Sequence, residues 1–342
     1  MKNVVAFGEL LLRLSPPARE RFFQSPVFQT YFGGAEANVA ASLAQFGHSV
    51  RMVSFVPGNE IGSAAVRALR LVGIETDCVF RRGSRLGIYY AETGANQKPT
   101  QVIYDREHSA LAEAGPGDID WSRALAGRDW LHVTGITPAV SRGAADLTLE
   151  AVAAARALGL TVSVDLNFRA KLWNYGAAAP SVMAEVFQFA DLGIANEEDC
   201  QKSLGIEAPV LGPDGKPDIS AFEQLTLEVM KRFPQLKRLA LTLRESRSAD
   251  HNAWSGLLRN REGCLRGPSY EISHIVDRIG GGDAFAAGLI HGLDAFSSDR
   301  EALEFALAAS CLKHSIPGDF NLVSEREVLA LMRGDKSGRV RR

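Results

Sequence analysis

Three consecutive glycines, Gly280, Gly281 and Gly282, stand directly ahead of Asp283 in the run DRIGGGDAFAAGLIHGL, Asp277 to Leu293. The glycines lead into a segment of helical period. Unhindered backbone N–H groups and the positive end of a helix dipole therefore converge on one point, which suits a phosphate. Asp283 falls in the first turn, where an acid also favours the helix dipole. A plain helix-start acid needs no glycine triplet, however, because ordering three glycines costs conformational entropy that a simple turn avoids.

A second glycine pair, Gly33 and Gly34, opens YFGGAEANVAASLAQFG, Tyr31 to Gly47. It permits close backbone approach to a ligand, and Asn38 lies one turn into the next helix, where its amide can both donate and accept. Taken alone, this is equally a helix start packed by small residues. In ANEEDC, Asn196 and the acids Glu197, Glu198 and Asp199 follow a strand and begin a helix. Such acids could hold Mg²⁺ through water, or simply cap the helix. Other chemistries lack their motifs: there is no GxxxxGK[ST], no GxGxxG opening a helix and no HExxH. Cys78, Cys200, Cys264 and Cys311 form no CxxC pair, as expected of reduced cytosolic thiols.

The elements that must position these residues follow a rhythm. Short apolar or β-branched runs (Val4–Gly8, Val50–Val56, Trp130–Val133, Leu160–Asp165, Leu192–Ala195, Leu239–Leu243) alternate with Ala-rich helical segments (Glu36–Phe46, Ile61–Val72, Ala144–Leu158). This predicts a doubly wound α/β fold with a mostly parallel sheet flanked by helices. Helices are expected at Gly282–Ala295, Arg300–His314 and Ser324–Met332. The stretches 13–31 and 78–104 alternate polar and apolar residues without helices and read as a small β-sheet lid. The core is then 1–12, 32–77 and 105–335, with a surface loop at 208–218 and a flexible basic tail at 336–342.

With 342 residues, 46% hydrophobic, 23% charged and a net charge of −2, the chain reads as one large soluble domain with an appendage. No basic field suits a nucleic-acid partner, and no stretch suits a membrane span or a secretory signal.

The Asp277 to Gly288 run and the Gly33 to Asn38 run resemble the two signatures of the ribokinase-like (PfkB) carbohydrate kinases, and the likeness spans nearly the whole chain. Departures are Arg278 and Glu36, where most of the family has small residues. The resemblance implies ATP and Mg²⁺, with Asp283 as catalytic base and Gly280, Gly281 and Gly282 as an anion hole. It places Gly33, Gly34 and Asn38 at the sugar, and Asp277, Asn196, Thr242 and Arg244 at the nucleotide. Thr242, Arg244 and Ser246 replace a glycine-containing turn usual in the family. Asp199 and Glu198 stand near the family's magnesium motif. GGAEAN, Tyr89-Tyr90, IYDRE, GITPA and DLNFRAKLW are most similar to 2-keto-3-deoxygluconate kinases. That likeness makes Tyr89, Tyr104, Arg106, Ile136, Asn167 and Arg169 acceptor contacts, consistent with arginine's bidentate grip on a carboxylate. It implies transfer to the 6-hydroxyl in a cytoplasmic homodimer or larger assembly. A neutral ketose, another keto-deoxy acid such as 2-keto-3-deoxygalactonate, or a sugar-sensing binding protein are the alternatives.

Overall fold

The computed structural model describes residues 1–207 and 218–335. The expected loop at 208–218, apart from Asp218, and the basic tail at 336–342 lie outside the described residues.

Seven parallel strands form the centre of a ten-stranded sheet, in spatial order Arg238–Ser248, Leu192–Ala195, Thr161–Asp165, Trp130–Thr134, Asn3–Phe7, Ser49–Val56 and Glu75–Arg81. His251–Arg259 pairs antiparallel to Arg238–Ser248 and carries Cys264–Arg266 and Tyr270–Ser273 beyond it. Central strands of a doubly covered sheet are buried on both faces, which is why they read as apolar runs. Val4 and Ala6 face one core and Val5 and Phe7 the other. The first core is covered by helices that include Ala35–Gln45, Gly281–Ala295 and Asp299–Lys313, and the second by Arg142–Ala157, Ala179–Phe187 and Ile219–Arg232. Among the described residues no helix is long and apolar enough to cross a membrane.

Chain order reverses between Asn3–Phe7 and Trp130–Thr134, because the chain first winds toward Glu75–Arg81 and then fills the other side. In open α/β sheets ligands bind at the carboxyl ends of strands beside such a reversal. Glu9 and Gly135-Ile136 leave the sheet there, with Asn167 and Asn196 just past the ends of the next two strands and Arg244 where Arg238–Ser248 runs on beyond its parallel pairing.

A separate four-stranded sheet has the order Gln29–Gly33, Leu11–Ser15, Gly87–Glu92 and Gln101–Asp105. Its limits differ from the expected 13–31 and 78–104. Glu75–Arg81 is an edge strand of the large sheet, with Cys78 opposite Val53. An edge strand is wetted on one side and so alternates like a lid strand, which explains the misreading. Tyr89 is buried on the inner face, while Tyr90 packs against Phe22 and Phe28 on the outer one.

Candidate active site

Gly280 takes the left-handed conformation, φ 84°, at the start of the Gly281–Ala295 helix, and no side chain caps that start. The first-turn amides are thereby left for an anionic ligand. A Cβ at position 280 would collide with the Asp319 backbone carbonyl, whereas one at 282 would meet nothing within 4 Å. Gly280→Ala is expected to lower kcat at least 100-fold by displacing the turn. Gly282→Ala should unfold at the wild-type temperature; equal activity of Gly280→Ala and wild type would contradict this reading of the turn.

Asp283 is 8% exposed, and its Oδ2 accepts from Asn38 Nδ2 at 2.7 Å. Burial pushes its pKa up to about 6, opposed by the Asn38 bond and the nearby Arg169 charge. Asn38 Oδ1 is buried with no protein partner, leaving an open acceptor beside the Asp283 carboxyl. Asp165 is also buried close by; desolvation, then the charges of Asp199 and Asp283, hold its carboxyl well above the usual range.

These groups open into one cavity of about 700 Å³. Gly34, Asn38, Tyr89, Tyr104, Arg106, Ile136, Asn167 and Arg169 line it, as do Asn196, Glu198, Asp199, Thr242, Arg244, Gly280, Gly281, Gly282 and Asp283. The volume lies within the 300–1,000 Å³ usual for small-molecule sites.

The pfkB family carbohydrate kinase pattern matches residues 1–322. This chain belongs to that family. As a sugar kinase it resembles the 2-dehydro-3-deoxygalactonokinase of Haloferax volcanii, at 31% identity over 98% of both chains. The crystal structure of 2-dehydro-3-deoxygluconokinase from Thermotoga maritima superposes with a TM-score of 0.90 at 44% identity, covering 97% of this chain and 98% of that one. A putative 2-keto-3-deoxygluconate kinase from Enterococcus faecalis gives a TM-score of 0.90 at 28% identity, covering 100% and 99%.

Within the kinase, two expected site residues stay outside the cavity. Asp277 is committed to the framework: its Oδ2 accepts from Arg13 Nη1 at 2.7 Å and from the Gly318 amide at 3.0 Å, and its Oδ1 accepts from the Ile279 amide. Gly33 lies behind Gly34 with the Asp319 side chain packed where a Cβ would go. Asp199 lines the cavity, but its Oδ1 accepts from the Phe168 amide and its Oδ2 from the Asn196 amide in a capping box, so it serves first as a helix cap. Among the described residues no three His, Cys, Asp or Glu side chains are grouped to hold a metal. Thr242 and Arg244 sit on a continuous strand rather than on a turn.

Arg106 is not free either. Its Nε and Nη2 lie 2.7 and 2.5 Å from Glu9 Oε2, and the Ser109 hydroxyl donates to the other Glu9 oxygen. Glu9 was missed in the sequence, although an acid directly after a buried strand in an α/β chain is a usable signal. Glu36 was noted only as a departure. It is buried, its Oε1 accepts from Thr134 Oγ1 at 2.7 Å and Thr137 Oγ1 at 2.8 Å, and burial pushes its pKa up to about 7. Asp319 was not singled out; it receives the Tyr89 hydroxyl and lies 3.3 Å from Arg13.

Proposed function

We propose that the kinase moves the terminal phosphoryl group of ATP·Mg²⁺ to a hydroxyl of a small keto-deoxy sugar acid, 2-keto-3-deoxygluconate giving its 6-phosphate. The observation that carries this reading is the base Asp283 at a glycine turn in the same cavity as Arg169, a guanidinium that forms no ion pair among the described residues. An acid substrate supplies the missing carboxylate. The relatives named for keto-deoxy sugar acids support the same choice, and 2-keto-3-deoxygalactonate remains the second acceptor because one of them carries that name.

In this reading Asp283 accepts the proton of the acceptor hydroxyl, and the freed oxygen forms a bond to the terminal phosphorus as the bond to the leaving ADP oxygen breaks. The Gly280–Asp283 amides take up the charge that develops on the phosphoryl oxygens, and the rest of catalysis is positioning. Asn38 orients the base. Arg169 holds the carboxylate, while Arg106, balanced by Glu9, offers N–H donors beside Tyr89, Tyr104, Ile136 and Asn167. Asn196, Thr242 and Arg244 face the nucleotide. A magnesium ion would neutralise phosphate charge and would be met by Glu198 through water, since Mg²⁺ keeps much of its hydration shell. Four scattered cysteines with no CxxC pair suit a cytoplasmic setting. A homodimer through the outer face of the small sheet belongs to the same reading, supported by Phe23 at 77% and Ile103 at 53% exposure. Neither nucleic acid nor membrane enters it.

The test is phosphoryl transfer from Mg·ATP to the two keto-deoxy acids, with fructose and ribose in parallel, on protein whose mass is read by sedimentation. At least a tenfold higher kcat/KM for an acid, from a dimer or larger species, is expected. A clear win for a neutral sugar would sink the acceptor assignment; no turnover with any sugar would leave a binding protein.

A further inference from the structure

Arg278, one of the two departures from the family's small residues, lies between the framework acid Asp277 and the glycine turn. Its side chain is half-buried, and its Nη2 donates to Asn252 Oδ1 at 3.0 Å. Asn252 is fully buried and lies opposite Ser246 in the antiparallel ribbon, so it shares a face with Arg244, two residues before Ser246. Arg244 and Arg278 both line the cavity. Neither forms an ion pair among the described residues, whereas the deeply buried Arg13 and Arg106 are both paired.

Two guanidinium groups facing one cavity, neither in an ion pair among the described residues, repel each other until an anion joins them. Burial, and then the charge of Arg244, hold Arg278 below its ordinary range; burial does the same to Arg244, with Glu197 opposing it. The nucleotide's phosphates fit that role better than the acceptor carboxylate. Arg278 stands two residues before Gly280, at the turn that receives the transferred phosphoryl group, and is tied through Asn252 to the face of Arg244. Arg169, the residue assigned to the acceptor carboxylate, follows a strand two spacings, about 10 Å, from that of Arg244.

We propose that Arg278, positioned by Asn252, and Arg244 form a two-arginine clamp on the polyphosphate of the nucleotide. This rests on the nucleotide reading above. Planar guanidinium forks suit phosphate oxygens, and arginines placed on a transferring phosphoryl group are worth large factors in rate.

Calorimetric titration of ATP, AMP and inorganic tripolyphosphate into wild type, Arg278→Met and Arg244→Met tests the clamp without any acceptor. Each variant is expected to bind ATP and tripolyphosphate at least 10-fold more weakly with AMP changed less than 2-fold. In turnover, kcat/KM for ATP should fall about 100-fold in Arg278→Met, be partly restored by added guanidinium, and leave the acceptor KM within 3-fold. Arg244→Met, at a cavity-lining strand position that solvent reaches, keeps the proposal testable if Arg278→Met folds poorly. ATP affinity within 2-fold of wild type in Arg244→Met and in folded Arg278→Met overturns the clamp while the kinase reading stands, as does an acceptor KM that alone rises. A wild-type protein that binds no ATP overturns both.

Discussion

Asp283→Asn is expected to be a folded protein with kcat reduced by about 10²–10⁴, the usual contribution of a positioned general base. Its Asn38 bond survives, since the asparagine carbonyl can still accept. The same change should stabilise the protein at pH 8. The Asp283 carboxyl ordinarily titrates near 3.9 unfolded and at about 6 when buried. Between those values the folded state holds a proton that the unfolded state does not, so wild-type stability falls as pH rises through this window and stays lower above it. Asparagine never ionises and escapes that cost, which is about 1–3 kcal/mol at pH 8. Wild-type kcat/KM should fall on the acid side with a midpoint near 6 as the base becomes protonated. Urea denaturation at pH 5 and pH 8, beside a coupled turnover assay, checks all three; turnover within tenfold of wild type would remove Asp283 from the base role.

The stretches that could be read from sequence are those where burial leaves a local trace. Val4–Phe7 and Leu192–Ala195 are apolar runs because both faces of the sheet are covered, and Gly280 shows because only glycine fits against Asp319 at the left-handed first position. Cys78–Arg81 was assigned to the lid because the exposed face of its edge strand imitates a lid strand. Asp199 shows the limit of a motif: Asn196 and Asp199 at capping-box spacing fit both a metal site and a cap, and only the Phe168 amide on Oδ1 exposes the capping duty. The Arg13–Asp277–Asp319 cluster and the Glu9–Arg106 pair had no such trace. Their members are 264, 306 and 97 residues apart, and a long-range ion pair leaves no spacing to detect.

That hidden partner changes what Arg106→Ala should do. Glu9 and Arg106 side chains are 2% and 5% exposed, so truncating the arginine strands a buried carboxylate with little beyond Ser109 to meet it. Breaking a buried pair in this way costs about 3–5 kcal/mol, much of it the penalty on the partner left behind. The loss should be felt at the lid, because Glu9 sits where a Cβ of Gly87, the first residue of a lid strand, would go. Arg106→Ala is therefore expected to unfold at clearly lower urea and to show a higher acceptor KM. The two effects separate by chemistry. Loosening of the lid raises KM for acid and neutral sugars alike, whereas loss of a donor to the carboxylate weakens the acid alone by about 1.5–3 kcal/mol, some 10- to 150-fold. Arg106→Lys keeps the charge opposite Glu9 and should recover most of the stability, but not the planar donors, so its KM for the acid should stay high. Parallel losses for acid and fructose in both variants would make Arg106 a strut for the lid and leave the carboxylate to Arg169 alone.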